Sequence, residues 1–89
     1  MVASIPISTY TGFIIYYTVN DEVSVGVRIA QISTAWAGGY LSYQELVGPD
    51  IYDTYSQVYL ITQLNGSNVE LYANVFNSTW TISYYVVTI

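Results

Sequence analysis

Gln57-Val58-Tyr59-Leu60-Ile61-Thr62-Gln63-Leu64, then Asn65-Gly66-Ser67-Asn68, then Val69-Glu70-Leu71-Tyr72-Ala73-Asn74-Val75-Phe76 is the stretch that decides the fold of this chain. Two runs rich in β-branched and aromatic residues flank a short polar cluster, and Asn-Gly between such runs is the strongest local signal for a β-hairpin. The same grammar extends outward. Thr11 to Val19 reads as a strand, Asn20-Asp21-Glu22 as a polar turn, and the segment from Val23 as a second strand. In that second strand Val23, Val25, Val27 and Ile29 alternate with Ser24, Gly26, Arg28 and Ala30, which predicts the valines inward and Arg28 outward.

Gly38-Gly39 predicts a bend or bulge, since glycine takes backbone angles that other residues resist. Gln44 to Tyr55, punctuated by Gly48-Pro49-Asp50, is the least regular segment and predicts a long loop. A last strand runs from Trp80 to Ile89, with Trp80, Ile82, Tyr84 and Val86 on its core side. Ile5 and Ile7 at one end and Val86-Val87-Thr88-Ile89 at the other look like paired strands rather than frayed tails. Strands joined by short turns, with no helical stretch, predict an all-β protein: a small antiparallel β-sandwich of about seven strands, immunoglobulin-like or jelly-roll-like in size. The 89 residues suffice for a single domain over 1–89.

Composition narrows the function. Of the side chains 53% are hydrophobic and only 8% charged, and Asp21, Glu22, Glu45, Asp50, Asp53 and Glu70 face Arg28 alone for a net charge of −5. Disordered chains have the opposite bias. Nucleic-acid binding requires Lys and Arg to neutralise phosphates, so it is not expected, and neither is a basic helix lying on anionic lipid. No apolar run approaches the ~18 residues of a membrane-spanning helix, so no membrane insertion is expected. The chain has no Cys and no His, which removes disulfides, thiol nucleophiles and the commonest general base and metal ligand. No cofactor is expected. Met1 to Pro6 lacks the basic and apolar regions of a signal peptide, which points to a chain trimmed beforehand or released by another route such as lysis. With few carboxylates to titrate and almost no basic charge, acidification creates little self-repulsion, so the composition suits an acid-stable protein in an acidic exterior. Burial of the surface against neighbouring subunits depletes charge equally well.

Eleven tyrosines dominate the candidate functional residues. Adjacent residues in a strand point to opposite faces, so Tyr16-Tyr17 and Tyr84-Tyr85 each predict one inward and one outward ring. Tyr10, Tyr16, Tyr40, Tyr43, Tyr59, Tyr72 and Tyr85, with Trp36 beside Gly38-Gly39, are the candidate interface residues. The competing readings are cross-strand tyrosine ladders with no partner, packing of Trp36 into the core, and stacking on carbohydrate. Trp80 reads as core. Glu45, Asp50 and Asp53 fall in the irregular segment as solvated loop acids, without the ligand spacing of a calcium loop. A glycosidase-like use of the Asp50/Asp53 pair needs a cleft that so small a sandwich rarely encloses, so no catalytic residue is assigned. Asn65-Gly66-Ser67 and Asn77-Ser78-Thr79 match the N-glycosylation acceptor pattern, which turn composition also produces by chance.

Together these features predict a non-enzymatic structural subunit of an extracellular or particle-type assembly, such as a virion shell, filament or surface layer. It would associate with itself or with other subunits through tyrosine-rich faces and strand edges that lack guarding lysines. The alternative is a small carbohydrate- or protein-binding β-module using exposed Tyr and Trp.

Overall fold

The computed structural model describes residues 1–21, 26–52, 54, 58–76 and 80–89. Seven strands follow in order: β1 (Ala3–Pro6), β2 (Gly12–Asp21), β3 (Val27–Ala37), β4 (Tyr40–Ile51), β5 (Val58–Asn65), β6 (Asn68–Val75) and β7 (Trp80–Thr88). They form a three-stranded sheet, β1-β6-β5, and a four-stranded sheet, β4-β3-β2-β7, with every pairing antiparallel. The chain is a small all-β sandwich. Both end strands pair within the chain, β1 with β6 and β7 with β2.

Alternation builds the core. Phe13, Ile15, Tyr17 and Val19 of β2, with Ala30 and Ile32 of β3, meet Val58 and Leu60 of β5 and Val69 and Leu71 of β6. Trp36, Leu41, Trp80, Ile82 and Val86 close the rim, so Trp80 packs on the core side as its alternation with Ile82 implies. Removing such side chains from water is the main favourable term available to a chain without disulfides.

The β5–β6 hairpin forms where the sequence predicts it, but its reversal is Gly66-Ser67, with Asn65 opposite Asn68 and Gly66 at φ 61°. A glycine at positive φ in the first central position is the type II′ pattern. Gly38-Gly39 makes a full reversal rather than a bend or bulge: Ala37 pairs with Tyr40, and both glycines take positive φ, 57° and 84°. That is the type I′ pattern, whose twist matches the flanking strands.

Two further expectations are corrected. The loop predicted over Gln44 to Tyr55 is for the most part β4, paired with β3 from Tyr40 to Ile51. Gly48-Pro49 is a bulge inside it: Ala30 pairs with Val47 and Arg28 with Asp50, so β4 carries one residue more than β3 across this interval. Proline is tolerated because β4 is an edge strand. β4 ends next to Tyr52, whose φ of 67° leaves the extended region.

Arg28 points inward, fully buried, and Ile29 points out, 51% exposed. The reason is register. Val19 and Tyr17 of β2 lie opposite Arg28 and Ala30, so the even-numbered residues of β3 share the core face with Ile32 and Trp36. The predicted turn residue Glu22 and the start of the predicted second strand, 23–25, lie outside the described residues.

Candidate functional site

The outward face of the four-stranded sheet is assembled from rows of side chains that run across all of its strands. Leu46, Gln31, Tyr16 and Tyr85 form one row through the pairs Gln31–Leu46, Tyr16–Gln31 and Tyr16–Tyr85. Beside it run Gly48, Ile29, Thr18 and Ser83, and on its other side Gln44, Ser33, Ile14 and Val87. Gly48, Thr18 and Ser83 keep the second row low except at Ile29. Gly48 has no side chain to raise, and a Cβ there would meet the Ile29 carbonyl at 3.0 Å.

An open trough of about 820 Å³ results, with Leu46 at one end and the tyrosines at the other. A second hollow of about 410 Å³ continues along the same face past Ile14, Ser33, Ser42 and Gln44. The Tyr16 and Tyr85 rings stack with centroids 5.0 Å apart and planes 21° from parallel. Leu46 is 65% exposed and Tyr85 63%. No charged side chain points to this face among the described residues, because Glu45, Asp50 and Asp21 sit at the opposite phase of their strands.

Those carboxylates belong to the inner side. The Arg28 guanidinium donates from Nε and Nη2 to the Tyr17 hydroxyl at 3.2 and 3.1 Å, and from Nη1 to Thr54 Oγ1 at 2.8 Å and the Val58 carbonyl at 3.0 Å. Tyr17 donates its own proton to Glu45. Thr54 donates its hydroxyl to Asp50 Oδ1 at 2.7 Å and its N–H at 3.1 Å. The buried cation is thus linked to two carboxylates, each through one hydroxyl, which is how a buried charge is tolerated. The Thr54 side chain, opposed by partial desolvation and helped by its backbone and by Arg28, holds the Asp50 carboxyl below its usual value. Glu45 and Asp50 therefore belong to a strand and a structural network rather than to a loop, although Asp50 stays solvent-exposed, and Asp53 lies outside the described residues.

The sequence-predicted interface residues divide among several surfaces. Tyr16, Tyr40 and Tyr85 lie on the outward face of the four-stranded sheet, Tyr40 at its hairpin end. Tyr59 and Tyr72 lie on the outward face of the other sheet, where Tyr59 leans on Phe76 at 6.2 Å. The Tyr72 hydroxyl donates to Glu70 Oε1 at 2.8 Å, as does Asn65 Nδ2 at 2.9 Å. These two bonds, Asn65 first, lower the Glu70 pKa, and the bond to Glu70 raises that of Tyr72. Asn65 is exposed on its turn, and Asn77 lies outside the described residues.

Trp36 packs against Phe13, ring centroids 5.7 Å apart, and its Nε1 donates to the Ile7 carbonyl at 3.2 Å. Tyr43 pairs with Thr34 on the inner phase of β4, and Tyr10 borders a separate hollow with Trp36 and Gly38. Tyr17 is inward as predicted, while Tyr84 takes the inward phase at the sheet edge but stays 43% exposed and bonds the Val2 carbonyl at 2.8 Å.

Sequence reasoning misses Ile29, Gln31 and Leu46. The alternation from Val23 places Ile29 in the core, and the loop predicted over Gln44 to Tyr55 takes in Leu46. Carrying the even phase of Ile32 and Trp36 back through β3 turns Ile29 outward. No protein-family model, curated protein or solved structure matches this chain.

Proposed function

We propose that the chain is a non-enzymatic structural subunit that binds further copies of itself in an extracellular or particle-type assembly, using the outward face of the four-stranded sheet. The observation that carries this reading is the placement of charge. The chain has a net charge of −5, yet the row Leu46, Gln31, Tyr16 and Tyr85 and its neighbouring rows hold no charged side chain. Two copies repel each other wherever carboxylates approach, and this face lets them meet without that cost. Monomeric proteins scatter exposed apolar side chains singly, whereas here Ile29, Leu46, Tyr16 and Tyr85 line one trough. Tyrosine suits such contacts because a ring buries a large area while losing little rotamer freedom.

Light scattering on the purified chain at pH 3 and pH 7 tests the reading. Defined particles larger than the monomer are expected, and Leu46→Asp or Tyr85→Asp, which place charge on the face without touching the core, should shift them towards monomer. Persistence of the particles in both variants would move the contact elsewhere. A second reading, a carbohydrate-binding module, draws on the near-parallel Tyr16 and Tyr85 rings beside the polar Gln31 and Ser83. It predicts a monomer whose tyrosine fluorescence responds to oligosaccharides.

A further inference from the structure

We propose that β7 is a main-chain docking edge for a second copy of this chain, joining two four-stranded sheets into one continuous sheet across a two-fold axis at Tyr84. This rests on the reading of the chain as a self-associating subunit and specifies one of its contacts. Antiparallel ladders use alternate residues on each side of a strand. Ile89 exchanges hydrogen bonds with Gly12, so Thr81, Ser83, Tyr85 and Val87 turn their N–H and C=O groups towards β2. The main-chain groups of Trp80, Ile82, Tyr84, Val86 and Thr88 turn the other way, to the side of the sheet where β7 has no neighbouring strand among the described residues.

The other edges are blunted. β1 has 4 residues and ends in Pro6. β4 carries the Gly48-Pro49 bulge, with Glu45 and Asp50 along its length, so two β4 edges would bring like charges together. β5 borders β4, and Arg28 takes its Val58 carbonyl. By contrast β7 runs for 9 residues, Trp80–Thr88, with no charge, no proline, no glycine and no bulge against β2.

One register satisfies the whole edge. With Tyr84 opposite Tyr84 of the second copy, Ile82 faces Val86, Trp80 faces Thr88, and every outward main-chain donor and acceptor of one β7 meets its complement on the other. On the outward face the two Tyr85 side chains become diagonal neighbours across the seam. At about 7–8 Å between backbones they are within reach for aromatic contact, so the uncharged rows of both copies run together.

The test uses the full chain. In Tyr84→Cys the paired residues would sit roughly 5.5 Å apart between Cα atoms, inside the span a disulfide bridges. Mild oxidation should therefore cross-link Tyr84→Cys into dimers, and should leave Tyr40→Cys, at the far hairpin, as monomer. Val86→Pro removes a donor that points away from β2; because Val86 also closes the core rim the unfolding midpoint should fall somewhat, but the chain should keep its β-sheet circular dichroism while its dimer dissociation constant rises at least tenfold. A wild-type oligomer in which Tyr84→Cys does not cross-link and Val86→Pro associates normally overturns the β7 contact and leaves the subunit reading standing. A wild-type chain that is monomeric at every concentration up to the millimolar range overturns both.

Discussion

Replacing Arg28 tests the network that ties the two sheets together. Its guanidinium is fully buried and joins separate segments, donating among others to the Tyr17 hydroxyl, Thr54 Oγ1 and the Val58 carbonyl. Arg28→Ala removes those bonds, opens a cavity, and leaves Glu45 and Asp50 without their cation. Emptying so large a fully buried site and stranding its hydrogen-bond partners costs about 3–5 kcal/mol. A chain of this length has about 4–13 kcal/mol of stability in total at typical values per residue, so the variant should sit near the limit of folding. Arg28→Met refills most of the volume, so its cost falls to that of the acceptors left unpaired, about 1–3 kcal/mol. Arg28→Lys keeps the charge but has no planar fork to reach Tyr17 and Thr54 together, and should fall between the two. Urea unfolding followed by Trp36 and Trp80 fluorescence measures all three, with unchanged m-values required for the comparison. If Arg28→Ala lies within about 0.5 kcal/mol of wild type, the scale of an ordinary surface substitution, the network holds nothing and the reasoning fails.

Gly26→Ala should destabilise by about 1–3 kcal/mol through overpacking, because a Cβ there would lie 2.7 Å from Cη2 of the Trp80 ring. Urea unfolding gives the loss, and a shifted Trp80 emission shows that the ring has moved. Asp50→Asn tests the pH dependence. The Asp50 carboxyl titrates below its usual value of 3.8 when folded, so its stabilisation is complete above that value and is lost as pH falls through the lower, folded one. At pH 7 the variant should therefore be less stable than wild type, by no more than about 1 kcal/mol since Asp50 is solvent-exposed. The difference should close once pH has fallen through the lower, folded value. Melting temperatures across pH 2–7 check it, and a gap that widens in acid would reverse the assigned sign.

Period-two patterns and turn chemistry make the antiparallel class, the β5–β6 hairpin, β2, and the inward phase of Trp80, Ile82 and Val86 legible in the residues alone. Composition likewise speaks against phosphate recognition and thiol or histidine chemistry, since those need residues the chain lacks. Alternation defines two faces of a strand without saying which is inside. In β3 the odd-numbered Val27 and Ile29 and the even-numbered Ile32 and Trp36 make competing claims, and the neighbours β2 and β4 decide for the even set. That choice buries Arg28, because Tyr17, Thr54 and Val58, distant in sequence, converge there to satisfy it.

Gly48-Pro49 reads as a turn in isolation; as a bulge it exists only as a mismatch of residue count between two paired strands. The same holds for the candidate site. Leu46, Gln31, Tyr16 and Tyr85 come from separate strands and share no local motif. The residues by themselves determined that this chain folds as sheets with tyrosine to spare for its surface. Which side chains form a row, which charge is hidden and which edge is left open were decided by strand pairing, a long-range choice that local pattern does not encode.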